Sequence, residues 1–152
     1  MAISTSGTAT VDQTALKVNQ AGIIATLLLA FLLSPLVPAL VGLVPALALV
    51  MLVGGVEPRL ALFPQLYRRV LRPAGYLKPR VVRDSPRPHA FAQMVGGSVL
   101  VLASIAFAAQ APLIGWALAW VVIVLAFVNF AFNFCLGCQI FYRLERIGIV
   151  RA

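Results

Sequence analysis

Cys135 and Cys138 are the two thiols of this 152-residue chain, separated by Leu136 and Gly137. Thiols three residues apart can share a helix face or close a small ring. That spacing serves reversible disulfide chemistry, and it supplies half of a zinc or iron–sulfur site. Three readings are open at this point. Cys135 and Cys138 act as a catalytic pair for thiol redox or sulfur transfer, or they are small buried apolar residues, or they hold a metal. A metal would call for ligands from a second copy, because His89 is the one histidine and stands beside Pro88; no metal and no cofactor is assigned. At about 100° per residue Cys135, Cys138 and Tyr142 fall on one helix face, with Asn129 and Asn133 elsewhere. The C-terminal end of a helix disfavours a thiolate, an adjacent basic loop opposes that effect, and Gly137 is a candidate helix break. Cys138 is expected nearer to water and first to react.

A second set of groups is polar but uncharged. Gln20, Gln93, Asn129 and Asn133, with Asn19, lie at or inside the ends of apolar runs. They are expected to form interhelical hydrogen bonds; the other reading is a polar path to a ligand. No apolar run holds an acid, a base or a histidine, which argues against a proton pump or an ion-coupled transporter. The chain also lacks a glycine-rich phosphate loop, a Ser/His/Asp set and a metalloprotease pattern.

The elements that must position these groups follow from charge and hydropathy. The chain is 62% hydrophobic and 11% charged, with mean hydropathy +1.01. Soluble domains carry about 25% charged residues, so a bilayer must be the main solvent. Nothing is charged over 18–56 or over 90–142. Between those runs, segment 57–89 carries Arg59, Arg68, Arg69, Arg72, Lys78, Arg80, Arg83 and Arg87 against Glu57 and Asp84. A basic block between uncharged runs reads as a cytoplasmic loop. The net charge of +8 is thereby assigned to anionic lipid headgroups rather than nucleic acid.

Each uncharged run is too long for one span of about 20 residues. Ser34, Pro35 and Pro38 divide the first and Gln110, Ala111 and Pro112 the second, because proline lacks a donor and blocks the preceding turn. Four spans are expected, over about 18–33, 38–55, 91–109 and 113–134, the last able to continue to Arg146. Pro45 should kink the second. Gly96, Gly97, Ser98, Ala103 and Ser104 form a small-residue strip suited to close helix contact, and one of Trp116 and Trp120 is an interfacial anchor. Residues 64–72 read as an amphipathic helix in the headgroup plane, with Tyr67, Arg68, Arg69 and Arg72, and Arg59 before them, as membrane-surface contacts. Residues 73–88 read as extended loop.

The halves match at Gln20 and Gln93, Pro38 and Pro112, and Tyr67-Arg68 and Tyr142-Arg143, which suggests two parallel-repeat hairpins. The uncharged turns lie on one side, and the basic loop and both termini on the cytoplasmic side. Residues 1–17 read as a polar tail, disordered at its start; with no basic n-region it is not read as a cleaved signal peptide. Residues 18–147 form one transmembrane domain and 148–152 a short tail.

Asn19-Gln20, Tyr67-Arg68-Arg69, Phe91-Ala92-Gln93 and the ending Phe134-Cys135-Leu136-Gly137-Cys138 resemble a bacterial membrane family of unknown function, DUF4395, over about 11–147. The resemblance implies four spans and an association with thiol and sulfur chemistry, and no catalytic residue beyond the two cysteines. The expectation is an all-α integral protein of the bacterial cell membrane doing thiol–disulfide or sulfur-carrier work with a soluble partner. The alternative is a non-catalytic subunit of a larger membrane complex.

Overall fold

Proline and asparagine punctuate the fold. The computed structural model describes residues 10–150; the start of the tail, expected to be disordered, lies outside them. Strand β1 (Thr10–Asp12) leads into helix α1 (Gln13–Leu33). After a turn, a 3-10 segment (Pro38–Gly42) runs into α2 (Leu43–Val56). The central segment holds the short α3 (Leu62–Leu66), a π-helical turn (Tyr67–Leu71) and strand β2 (Val81–Arg83). Helices α4 (Pro86–Ala108), α5 (Pro112–Phe132) and α6 (Leu136–Ile147) complete the chain.

Four helical segments, Gln13–Leu33, Pro38–Val56, Pro86–Ala108 and Pro112–Phe132, are long and apolar enough to cross a membrane. At 1.5 Å per residue each matches a hydrocarbon core of about 30 Å. Only 17–33% of each apolar window is buried within the protein. Leu49, Leu102, Ile105, Val124 and Phe127 are among the large side chains left on the outside. That surface suits lipid, and the chain is an all-α, multi-pass membrane protein. Its interior is built from Leu27, Val44, Leu100, Ala103 and Ala119, all fully buried. The α2–α4 seam is the most extensive and is close because of glycine: a Cβ on Gly97 would sit 3.2 Å from the Leu52 backbone nitrogen. At the far end Trp116 packs edge-on between Phe31 and Phe107, with centroids 5.0 and 5.1 Å away.

Several boundaries differ from expectation, each for a local reason. Helix α1 starts at Gln13, inside the stretch read as tail, because the Asp12 carboxylate caps it, accepting from Thr14 N–H at 3.0 Å. β1 also pairs antiparallel with β2, Thr10 opposite Arg83, and Arg80 N–H donates to Asp12 Oδ1 at 3.2 Å. The basic loop therefore straps the entry to the first span. Helix α4 starts at Pro86, within the stretch read as extended. Pro86 and Pro88 fall in its first turn, where no N–H is needed. Pro45 does not interrupt α2: it lies in that helix's first turn, behind the 3-10 segment. The fourth span does not continue to Arg146; it ends at Phe132.

Tyr67 was expected at the lipid surface and is instead fully buried, with no hydrogen-bond partner for its hydroxyl. The loop folds back over the start of α1, so this ring points inward while Arg68, Arg69 and Arg72 point out. Burial, and then the nearby Asp12 charge, push the phenol above its ordinary value. An unsatisfied buried hydroxyl is costly. Tyr67→Phe should leave thermal stability unchanged or raise it by about 1 kcal/mol. A clear drop in the unfolding midpoint would show instead that the hydroxyl is bonded.

Candidate functional site

The thiol pair is placed by a break in the helix. Asn133 caps α5 in the left-handed region, φ 53°. Asparagine tolerates that conformation better than most residues. Cys135 then sits in extended backbone, φ −95° and ψ 105°, as the N-cap of α6, and its sulfur accepts from Cys138 N–H at 3.2 Å. The pair therefore stands at the start of a 12-residue helix, not at the end of a span. This reverses the expected electrostatics. Helix N-termini carry partial positive charge and unpaired N–H groups, which favour a thiolate on Cys135 in the reduced pair. The two sulfurs lie at disulfide distance, with Cα atoms 5.1 Å apart. Exposure is also opposite to expectation: Cys138 is 7% exposed and buried, whereas Cys135 is partly exposed. Helical geometry turns the second cysteine inward against α4.

His89, read as solitary, is part of the site. It lies in the first turns of α4, and its Nδ1 is 3.5 Å from Cys138 Sγ. Its Nε2 is 3.0 Å from Asp84 Oδ2, one residue before the helix cap at Ser85. Asp84 orients the ring so that the other nitrogen faces sulfur. The 49-residue separation of His89 and Cys138 hid this contact. The available signal was the proline-led helix start, which puts His89 one turn into α4. The donor atoms of His89, Cys135 and Cys138 lie within 4.8 Å of one another. Two sulfurs and one imidazole nitrogen fit a soft ion such as zinc once the pair is reduced. Asp84 would be the outer carboxylate that commonly holds a metal-bound histidine. The chain thus brings together three of the four ligands that a tetrahedral zinc site takes.

A family model described as a domain of unknown function, DUF4395, matches residues 11–146. The chain belongs to this family. No curated protein and no solved structure matches it. The DUF4395 match takes in Asp84, His89 and both cysteines, and also the amide groups around them.

In this DUF4395 chain the amides gather beside the pair. Asn19, Gln20, Gln93 and Asn129 line a cleft of about 110 Å³ whose wall also includes His89 and Cys135. Asn133 stands apart, exposed at the α5 cap, on a smaller hollow shared with Gln20, Asp84, His89 and Asn129. Among the described residues none of these five side chains makes a hydrogen bond. Arg59, Arg68, Arg69 and Arg72 are exposed and none of them lines the cleft, though Arg68 borders a neighbouring hollow with Asn19, His89 and Gln93. Among the described residues no carboxylate is within ion-pair distance of these arginines. Tyr142 is half-exposed. Partial burial first, and then the charges of Asp84 and Glu145, push its hydroxyl above the ordinary value.

Proposed function

We propose that this protein exchanges electrons between its Cys135–Cys138 pair and a soluble thiol or sulfur-carrying protein at the membrane surface. The observation that carries the reading is the arrangement of the pair. The partly exposed Cys135 caps a helix, and the buried Cys138 stands 3.5 Å from an imidazole that Asp84 holds. In the exchange a partner thiolate attacks Cys135 sulfur, the intramolecular S–S bond breaks, and Cys138 leaves as a thiolate that takes a proton from His89. A second partner thiol then displaces Cys135 from the mixed disulfide. The partner leaves oxidised and the pair reduced.

Across glutathione buffers the pair should interconvert between dithiol and disulfide at a potential on the order of −200 to −300 mV, read by alkylation mass shifts. A pair that never oxidises in that range and holds no metal would return the chain to a non-catalytic subunit. The His89, Cys135 and Cys138 cluster favours a second reading, a zinc centre. Stoichiometric zinc released on thiol modification would select it.

The same reading covers the setting. Two helical hairpins, α1–α2 and α4–α5, are each followed by a short basic amphipathic segment, 62–71 and α6. That pattern supports a parallel repeat. The exposed arginines suit anionic headgroups on the cytoplasmic face of a bacterial membrane, with both termini on that face. Arg80→Cys in a background lacking Cys135 and Cys138 should resist impermeant thiol reagents in intact cells. Labelling there would invert the topology.

A further inference from the structure

We infer that the cleft beside Cys135 binds the ring of a lipid-soluble quinone, which exchanges two electrons with the pair. The inference rests on the thiol–disulfide reading and names the membrane side of that exchange. Three observations carry it. The first is the polarity of the lining. The cleft bears four carboxamides, Asn19, Gln20, Gln93 and Asn129. Asn19 is 5% exposed, and among the described residues it has no hydrogen-bond partner. Among the described residues only Tyr67 has a fully enclosed polar side-chain atom left unpaired, so the Asn19 amide keeps its accessible surface on the cleft it lines. Four neutral amides, with no carboxylate, lysine or arginine in the lining, suit a neutral ligand with carbonyl acceptors.

The second observation is the rim. Val95, Leu125, Leu136 and Ile140 line the same cleft and are 38–44% exposed on the outer surface. An apolar mouth on a membrane-facing surface admits a ligand from lipid and leaves its hydrocarbon tail outside. The volume of about 110 Å³ is on the scale of the roughly 150 Å³ cavity that takes a benzene ring, and this cleft is open on one side. The third observation is that Cys135 and His89 form part of the wall. A saturated lipid chain would explain the rim but neither the amides nor the redox pair.

The chemistry balances. The reduced pair loses two S–H bonds and gains one S–S bond. Its two electrons pass into the quinone ring, and the two carbonyl oxygens take two protons to give the quinol. The Cys138 proton leaves through His89 Nδ1, 3.5 Å from its sulfur; the Cys135 proton is released to water at the exposed side. The reverse reaction uses the same groups.

The test takes the whole protein in lipid nanodiscs, reduced and freed of reductant without oxygen. One arm receives a tetrasubstituted benzoquinone with a decyl tail, the other glutathione disulfide, and disulfide formation is followed by alkylation mass. The quinone arm should oxidise the pair with one quinol formed per disulfide. Gln93→Leu and Asn129→Leu should slow that arm about tenfold each, as the loss of a ligand hydrogen bond does, and leave the glutathione arm within about twofold. Val95→Trp, which fills the mouth and keeps every amide, should slow only the quinone arm, so a folding defect in the amide variants does not decide the matter. A glutathione arm that works beside a quinone arm that fails, or that no cleft variant alters, overturns the quinone site and leaves the thiol reading standing. Failure of both arms overturns the thiol reading, and the quinone site falls with it.

Discussion

Cys138→Ser should turn the protein into a trap for thiol partners, with the captured group on Cys135. Cys135 is the partly exposed sulfur at the helix N-cap, and Cys138 is buried 3.5 Å from His89. A mixed disulfide on Cys135 is normally resolved by Cys138 in the first turn of the same helix. Intramolecular attack of that kind has a very high effective molarity, so its removal should lengthen the life of the mixed disulfide on the order of a hundredfold or more. Cys135→Ser should capture almost nothing, since the remaining sulfur is 7% exposed. Intact mass after treatment with glutathione disulfide gives the answer directly. Equal adducts on both variants, or an adduct on Cys138 alone, would show that exposure does not set the order of attack.

Gly137→Ala should separate α6 from α4 and open the site. A Cβ at that position would lie 2.8 Å from Ala92 Cα, a backbone atom that no rotamer change can move. Overpacking of this kind costs about 1–3 kcal/mol, and the strain falls where Cys138 meets His89. The expected signature is local. Cys138 in the reduced protein becomes open to alkylation, while helical content holds because the four spans pack elsewhere. Ala92→Gly in the same chain should recover most of the loss, because it removes the Cβ facing the new methyl group and leaves space for a small shift. Additive effects of the two changes, with no coupling between them, would place the damage away from this contact. The same close approach explains why glycine occupies the third position of Cys-Leu-Gly-Cys.

Composition and charge pattern alone made legible the membrane character, the four candidate spans and the end of the bundle where the two cysteines stand. Those properties are sums over local composition: uncharged runs of known length, prolines that stop them, and a basic block between them. The C-x-x-C pair and the amides were legible for the same reason, as residue types at short spacing. Other features depended on contacts between distant segments. Asn133 stops α5 where no proline or glycine marks an end, and its left-handed turn makes Cys135 begin a helix rather than finish one. Periodicity cannot register a one-residue reversal of that kind, since α5 and α6 read as one continuous helical pattern. Tyr67 could not be distinguished from the arginines beside it, because the strap from β1 and β2 decides which side of that segment is covered. His89 reached the cysteines only through the docking of α4 against α6, which rests on Gly137 lying against Ala92. Only tertiary packing made a lone histidine, two thiols and an acid into one site: their proximity is set by helix–helix contact across 49 residues, and no local physical property of the chain encodes that distance.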